Sequence, residues 1–444
     1  MNNEFLTDWG LTLMVFLPAA GALLMLLVPR AEERAHKWLA LVFSVAAAGV
    51  GVAVLADFDY DQTERLQFVV DHRWIDVISS RYVLGIDGLS VPLVALTLLI
   101  VPLCVIYSWN HFPEPRNPKA FLILLLVLHT GMLGTFVAQD LILFFVFFEL
   151  VLLPMYFLIG VWGGEERQYA AIKFFLFTLF GSALMIVSFL ALFFVAGGET
   201  FVMRELADRI ADPVGAGISA VPLATQVLIF GGMFMGFGIK VPMFPFHTWL
   251  PDAHTEAPTV GSVILAAILL KLGTYGFVRV ALPILPEAAV EWAPYIGALA
   301  VVGIIYGALA CLAQTDMKRL IAFSSVAHMG FTMLGISTLT DFGLNAAVMG
   351  MVAHGLITGM LFFLAGSVKE RYHTMEIRRL GGILLKAPRL GWILGFTAMA
   401  SLGLPGLAGF WGEFPAILSA YEPGAGLSPV TFRTYMVIAA VGTV

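Results

Sequence analysis

The chain alternates long apolar stretches with short polar loops over its whole length. Each stretch has about 20 residues, enough to cross a bilayer core of about 30 Å as a helix that rises about 1.5 Å per residue. The pattern predicts spans near residues 11–29, 38–56, 86–108, 119–138, 140–161, 169–196, 224–246, 258–282, 292–314, 319–340, 343–367 and 390–420. A thirteenth stretch begins near Thr431 and reaches Val444 after about 14 residues, too few to cross, which favours a fragment of a longer chain. We therefore expect an all-α, polytopic integral membrane protein with about 13–14 transmembrane helices.

Composition supports this class and narrows the chemistry. The chain is 60% hydrophobic and 12% charged, whereas soluble domains are about 25% charged, so a soluble or nucleic-acid-binding protein is excluded. Cys104 and Cys311 lie in apolar spans without the spacing of a metal, haem or iron–sulfur site. We therefore expect no cofactor and no metal in this chain. Glu4 and Asp8 precede the first span in place of a basic segment, which favours a retained helix over a cleaved signal peptide.

Basic loop residues predict the orientation. Loops after odd-numbered spans carry most of the lysines and arginines, including Arg30, Lys119 and Arg378, whereas Asp57 and Glu64 lie in a loop of the other set. Because positive loops stay on the inner side of a membrane, we expect a multi-pass protein of the inner (plasma) membrane with its N-terminus outside.

Two of the outer loops are long enough to hold structure. The loop of residues 57–85 contains two short β-like runs, Leu66–Val70 and Arg81–Ile86, the second of which extends into the next span. These runs predict a small hairpin. Residues 200–211 place apolar side chains on one helical face, which predicts a short amphipathic helix at the membrane interface. We interpret both segments as structural.

Four charged residues lie deep inside apolar stretches: Glu149, Lys240, Lys271 and Glu413. A charge at the bilayer centre costs at least about 2.5–3.5 kcal/mol, so it usually faces a partner or a water-filled path. The first hypothesis is therefore ion or proton movement. Burial lowers the pKa of an amine and a nearby carboxylate raises it again, so a Glu149–Lys240 pair would be switchable; the alternative is a static ion pair that locks two helices.

Histidines extend this set of candidates. His328 lies about ten residues beyond the basic cluster that includes Lys318, hence about 15 Å deep, and His354 is central in its span. Histidine titrates near neutrality and relays protons well, although a lone membrane histidine is often only a packed hydrogen-bonding residue, as we interpret His129.

Other ionisable residues have two interpretations. Lys173 is close enough to the end of its span to snorkel or to pair locally. His247, Asp252 and His254 could form a path for water or only a capped turn.

A charge followed two residues later by proline occurs in two spans. Lys240-Val241-Pro242 interrupts span seven and Glu413-Phe414-Pro415 interrupts span twelve, and these spans run in opposite directions because they are five apart. Paired interrupted spans point to inverted repeats around an ion path. We expect three segments: an N-terminal three-helix segment with its outer hairpin, a first five-helix repeat of spans four to eight, and a second repeat of spans nine to thirteen. Their bounds are 1–118, 119–282 and 283–444.

Several motifs together resemble the antiporter-like subunits of respiratory complex I and of related multisubunit cation/proton antiporters. The matching segments are Tyr82-Val83-Leu84-Gly85-Ile86-Asp87-Gly88-Leu89-Ser90, Phe148-Glu149-Leu150, Lys240-Val241-Pro242, His247-Thr248-Trp249-Leu250-Pro251-Asp252-Ala253-His254, Pro258-Thr259, Gln314-Thr315-Asp316-Met317-Lys318-Arg319, Ser324-Ser325 and His328-Met329-Gly330. The resemblance covers nearly the whole chain. It implies fourteen spans, and Glu413 matches the type of subunit that has Glu in place of Lys at the twelfth span.

The resemblance also implies roles. Glu149 and Lys240 would be the coupled pair, Lys271 the connecting lysine and Glu413 the outlet, and His328 and His354 would lie on the hydrated axis. The implied function is proton translocation without a redox centre in this chain, driven by NADH–quinone chemistry in partner subunits. The expected partners are other membrane-arm subunits, with homologous antiporter-like chains on either side, and the lipid bilayer. The alternatives are a subunit of a Na⁺/H⁺ antiporter and a non-transporting membrane scaffold of a hydrogenase-like complex.

Overall fold

A computed structural model describes residues 4–109 and 112–443 of the chain. Within these ranges, eleven helices are long and apolar enough to cross a membrane, which confirms the predicted helical membrane architecture. The helices are α1 Glu4–Leu27, α2 Glu33–Asp57, α3 Ser90–Tyr107, α4 Pro118–Val137, α5 Leu141–Leu150, α6 Leu152–Trp162, α7 Arg167–Val195, α8 Met203–Ala211, α9 Leu223–Lys240, α10 Trp249–Glu256, α11 Thr259–Ile264, α12 Leu270–Gly276, α13 Leu282–Ile284, α14 Pro286–Leu312, α15 Met317–Ser337, α16 Asp341–Tyr372, α17 Ile383–Lys386, α18 Pro388–Ser401, α19 Ala408–Ser419 and α20 Pro429–Gly442.

The chain divides into two compact units, each built from several chain segments. Unit 1 comprises Met1–Gly163, Thr178–Phe237 and Tyr275–Glu287. Unit 2 comprises Gly164–Phe177, Gly238–Thr274 and Ala288–Val444. The predicted three-segment division into 1–118, 119–282 and 283–444 stays a prediction.

Span seven is interrupted where the sequence predicts it. Helix α9 ends at Lys240, and the next α-helix, α10, begins at Trp249 after an irregular segment and a short 3₁₀ turn. Proline cannot donate a backbone hydrogen bond and its ring clashes with the preceding turn, so Pro242 explains the helix end at Lys240.

Span twelve is also interrupted, but the predicted position is wrong. The Glu413-Phe414-Pro415 segment lies inside α19, with Pro415 tolerated within the helix. The interruption is residues 402–407, between α18 and α19, where Gly403 and Gly406 have φ angles of 66° and 91°. An L residue pays a steric penalty at such angles whereas glycine does not, so the glycines break the helix more sharply than Pro415 does.

A further interruption was not predicted. Span five consists of α5 and α6, separated at Val151. Pro154 removes the N–H that would bond to the carbonyl of Leu150, and its ring crowds that carbonyl. Glu149 therefore lies in the last turn before a helix interruption. The hydropathy of this span is continuous and gives no sign of the interruption.

Both predicted loop elements are confirmed. Strands β1 (Gln67–Ile75) and β2 (Ser80–Ile86) form an antiparallel hairpin in which His72 pairs with Tyr82. The amphipathic segment is helix α8, which buries Met203 and Leu206 and leaves Arg204 exposed.

Within unit 1, Asp140 attaches the hairpin to helix α5. The Asp140 carboxylate accepts hydrogen bonds from Ser80 Oγ at 2.9 Å and from the Arg81 backbone N–H at 3.0 Å. It also caps the first turn of α5 by accepting from the N–H groups of Ile142 and Leu143. One carboxylate thus satisfies helix donors that would otherwise be unpaired and fixes the hairpin.

A second polar cluster in unit 1 contains a buried ion pair. Arg279 Nη2 lies 2.5 Å from Asp87 Oδ1, and the side chains are 13% and 12% exposed. Tyr275 joins this cluster, because its hydroxyl donates to the Phe136 carbonyl at 2.8 Å and lies 3.0 Å from Arg279 Nε. Burial alone would raise the pKa of Asp87, but the hydrogen bond and charge of Arg279 outweigh it and hold the pKa below its usual value.

We expect Asp87→Asn to destabilise the protein by about 3 kcal/mol, because it leaves a buried guanidinium without its counter-charge. Since the folded pKa of Asp87 is depressed, its contribution is complete above the unfolded pKa of about 3.8 and is lost as the pH falls through the folded value. The measurement is the thermal unfolding midpoint in detergent between pH 7 and pH 3.

The exposed Asp57→Asn is the matched control and should leave the midpoint unchanged. The double variant Asp87→Asn/Arg279→Gln should lose less stability than the single variant, because no charge is left unpaired. Equal stability of Asp87→Asn and the wild type at pH 7 would contradict the proposed strength of this pair.

Candidate functional site

Lys271 is fully buried in unit 2, on a helix with unusual turns. Two π-helical segments, Leu265–Leu269 and Phe277–Ala281, flank α12, which carries Lys271 in its first turn. A π turn displaces the regular backbone bonds and occurs often at functional sites. Here Lys271 Nζ donates to the carbonyl of Ala266, inside the first π segment, at 2.7 Å. The irregular turn therefore supplies one hydrogen-bond acceptor for the buried amine.

The second hydrogen-bond partner of the amine is a histidine from another helix. Lys271 Nζ lies 2.6 Å from His354 Nδ1, and His354 is a buried residue of α16. An ammonium has only donors, so His354 Nδ1 accepts when Lys271 is charged. The other ring nitrogen, His354 Nε2, is buried and has no hydrogen-bond partner among residues 4–109 and 112–443.

A second histidine follows at short range. The rings of His354 and His328 are 5.6 Å apart at an interplanar angle of 65°. His328 lies on α15, and its Nδ1 is 2.6 Å from Glu413 Oε1 on α19. The two side chains are 17% and 16% exposed. The order in space is therefore Lys271, His354, His328 and Glu413.

Glycines allow the helices at this site to approach closely. A Cβ on Gly412 would lie 2.4 Å from the Cα of Gly350, so α19 approaches α16 this closely because Gly412 lacks a side chain. A Cβ on Gly403 would lie 2.7 Å from Glu413 Oε2, and Gly403 also has a positive φ. The interruption between α18 and α19 therefore folds back onto the Glu413 carboxylate.

A small cavity lies at the centre of the cluster. It has a volume of about 20 Å³ and is lined by His328, His354, Ser401 and Glu413 together with two threonines and apolar and glycine residues. A water needs about 10–15 Å³ and two or more polar partners. The cavity therefore has the size and the polar lining for one water.

Lys240 and Glu149 fall in different units. Lys240 is the last residue of α9, belongs to unit 2 and is 2% exposed. The interruption beside it is stabilised by Trp249 Nε1, which donates to the carbonyl of Ile239 at 3.0 Å. Glu149 belongs to unit 1 and is half-buried. The switchable Glu149–Lys240 pair stays a prediction.

Lys173 pairs locally, as expected. Its Nζ lies 2.7 Å from Asp252 Oδ2, and Arg319 Nη2 approaches the other oxygen of Asp252 at 3.4 Å. Asp252 thus joins the starts of α7 and α15 to α10 within unit 2. Nearby, His254 is fully buried and its ring stacks on Phe362 at 4.6 Å.

Sequence reasoning missed two polar residues of unit 2. Lys318 is 3% exposed and donates to the Ala257 carbonyl at 2.6 Å, although a basic residue at a span end usually faces solvent. Ser401 lies 3.1 Å from His328 Nε2 through its hydroxyl. Its position directly before the Leu402-Gly403 turn is the one sequence signal that could have indicated it.

Metal binding has no support in the part of the chain that the structure describes. No cluster of three His, Cys, Asp or Glu side chains there could hold a metal ion.

Two family models match the chain. Residues 138–439 match the model described as NADH:quinone oxidoreductase/Mrp antiporter, and residues 66–135 match the amino terminus of NADH-ubiquinone oxidoreductase chain 4. NADH-quinone oxidoreductase subunit M of Rhodobacter capsulatus is 43% identical over 417 residues, which cover 93% of this chain and 80% of the relative. NAD(P)H-quinone oxidoreductase chain 4 of Synechococcus sp. (strain JA-3-3Ab) is 40% identical, covering 100% of this chain and 81% of the relative.

Solved structures with the same fold include two large membrane complexes. A chain of respiratory complex I from Thermus thermophilus superposes with a TM-score of 0.83 at 30% identity, covering 98% of this chain and 87% of that one. A chain of the Mrp complex from Dietzia sp. DQ12-45-1b has a TM-score of 0.82 at 24% identity, covering 98% of this chain and 46% of that one. The second likeness shows the fold alone.

We expect Gly403→Ala to lower stability by about 1–3 kcal/mol, since it forces a side chain into a left-handed conformation. The added Cβ should also lengthen the 2.6 Å contact between Glu413 and His328, because it lies against the Glu413 carboxylate. The measurements are the thermal midpoint in detergent and a structure of the variant.

Gly395→Ala on the adjoining helix is the control. Its Cβ meets nothing within 4 Å and alanine favours a helix, so the midpoint should stay level or rise. If both variants behave alike, the special role of the Gly403 turn is refuted.

Proposed function

This chain belongs to the NADH:quinone oxidoreductase/Mrp antiporter family of membrane subunits, and we propose that Glu149, Lys240, Lys271, His354, His328 and Glu413 carry protons through it. As a subunit of the NADH–quinone oxidoreductase type, it is part of a translocase whose redox chemistry takes place in partner subunits. It is a multi-span membrane protein of a respiratory complex, and it works beside other membrane-arm subunits of that complex.

The observation that carries the proposal is the continuous order of ionisable groups inside unit 2. Lys271 and His354 are joined by a 2.6 Å contact, as are His328 and Glu413, and the two histidine rings lie 5.6 Å apart. Four helices or helix segments each supply one group. Static packing does not require four titratable groups at these distances, whereas proton transfer does, since it proceeds along hydrogen-bonded neighbours.

Each neighbouring pair can exchange one proton without moving far. A charged Lys271 donates to His354 Nδ1, and transfer of that proton leaves a neutral amine that is still bonded to the histidine. At the other end, a protonated His328 donates to the Glu413 carboxylate, and transfer gives a neutral imidazole and a carboxylic acid. Histidine suits the middle of such a path because its charge changes near neutral pH.

Water would support the path between the two hydrogen-bonded pairs, Lys271–His354 and His328–Glu413. His354 Nε2 has no partner in the described part of the chain, and both histidines line the cavity of about 20 Å³. One water there would bond to His354 Nε2 and bring a proton to the side of the cavity that His328 and Ser401 line. The first π segment and the α18–α19 interruption add backbone groups that can solvate such a path, which a regular helix cannot.

Lys240 and Glu149 form the uptake end in this proposal. The proton enters from the cytoplasmic side, reaches Glu413 and leaves outward, with the N-terminus of the chain outside and the subunit in the inner membrane. The basic residues of the odd-numbered loops support this orientation.

The antiporter alternative has weaker support. The Mrp complex chain is 24% identical and shares the fold, whereas the relatives at 40–43% identity are quinone oxidoreductase subunits. Glu413 also matches the redox-driven type. The scaffold alternative predicts that the buried charges tolerate neutral substitution, which the following experiment tests.

We expect Lys240→Ala and Glu413→Gln to reduce proton pumping at least tenfold, because a missing proton-transfer group typically costs about 10²–10⁴ in rate. Pumping is measured as acidification of inverted membrane vesicles driven by NADH, together with the amount of assembled complex.

Lys386→Ala, which removes an exposed lysine at the end of α17, serves as the control and should pump normally. Full proton-to-electron stoichiometry in both Lys240→Ala and Glu413→Gln would refute the proposed path. Normal assembly with lost pumping would refute the scaffold function.

A further inference from the structure

The histidine that contacts Glu413 has a second polar partner. Ser401 Oγ lies 3.1 Å from His328 Nε2, while Nδ1 of the same ring lies 2.6 Å from Glu413 Oε1. Ser401 is the last residue of α18, is half-buried and lines the same cavity as both histidines. Both nitrogens of His328 are therefore held by side chains from the two sides of the α18–α19 interruption.

We propose that Ser401 is a positioning residue that holds His328 in one orientation while the proton moves between His328 and Glu413. The inference rests on the proposed proton path, in which His328 and Glu413 exchange a proton. Ser401 itself gains and loses no proton in this step.

A hydroxyl suits this position because it can both donate and accept. When His328 is charged, Nδ1–H donates to Glu413 and Nε2–H donates to Ser401 Oγ. When His328 is neutral and Glu413 is a carboxylate, Nε2 instead accepts from the Ser401 hydroxyl. When the proton is on Glu413, the carboxylic acid donates to Nδ1 and Nε2–H donates to Ser401. Rotation of one hydroxyl therefore satisfies His328 in all three states without a turn of the ring.

The location of Ser401 links the proton step to the helix interruption. Two residues after Ser401, the backbone turns at Gly403 with a φ of 66°, and this turn lies against Glu413 Oε2. A shift of residues 402–407 thus acts on the Glu413 carboxylate and on the Nε2 partner of His328 together. The same short segment can strengthen or weaken both hydrogen bonds of the histidine.

The experiment compares Ser401→Ala, Ser401→Thr and Ser419→Ala in the assembled complex in inverted membrane vesicles. Ser419 is the matched control, because its hydroxyl donates to the Ala416 carbonyl of its own helix at 2.7 Å and touches no histidine. Measured are the amount of assembled complex, NADH-driven proton pumping and its pH profile. Glu413→Gln is measured in parallel.

We expect Ser401→Ala to assemble normally and to pump three- to tenfold more slowly at neutral pH, since Nε2 of His328 loses its partner. The pH profile of its pumping should differ from that of the wild type, because the hydrogen bond to Nε2 of His328 is lost. Ser401→Thr keeps the hydroxyl and should restore pumping, and Ser419→Ala should match the wild type.

The outcomes distinguish the role of Ser401 from the existence of the proton path. Normal pumping by Ser401→Ala beside inactive Glu413→Gln overturns the role of Ser401 alone. Normal pumping by both variants overturns the proton path and, with it, this inference. If Ser401→Thr is as slow as Ser401→Ala, the side-chain volume and not the hydroxyl is what matters, and the inference is again wrong.

Discussion

Solvation of charge inside an apolar medium is the constraint on which this structure depends. A buried ammonium or carboxylate needs hydrogen-bond partners that replace water. In unit 2 the partners come from the protein: Lys271 is held by a backbone carbonyl and a histidine, and Glu413 by a second histidine. Because histidine can itself accept a proton, the groups that solvate these charges are also the groups of the proposed proton path.

Irregular helical segments supply hydrogen-bonding groups to the buried charged residues. The π segment before Lys271 offers the Ala266 carbonyl, and the α18–α19 interruption places Ser401 and the Gly403 turn beside His328 and Glu413. An uninterrupted helix uses its backbone groups internally and has none to offer. The irregular segments are short, and the longer helices α15 and α16 supply the two histidines that contact Glu413 and Lys271.

The class of fold and most of the ionisable residues of the candidate site could be predicted from the sequence. Spans, the hairpin and helix α8 follow from periodicity, because hydrophobic burial in lipid leaves few alternatives. The order Lys271, His354, His328 and Glu413 could not be derived, since it depends on which helix faces meet, and hydropathy is uniform around these helices. The break at residues 402–407 was misplaced because a proline beside a buried charge is conspicuous, whereas two glycines with positive φ have no signature in hydropathy.

The two interrupted spans resemble each other less in structure than in sequence. Lys240 ends its helix, so the amine lies at a helix terminus, and its break is made by Pro242. Glu413 lies inside α19, beyond its break, and tolerates Pro415 in its own helix. A cation at a helix C-terminus interacts favourably with the helix dipole, whereas a carboxylate within a helix receives no such support and depends on His328. The first site therefore has a helix terminus beside its lysine and the second has a histidine beside its carboxylate, an arrangement consistent with the proposed loading at Lys240 and release at Glu413.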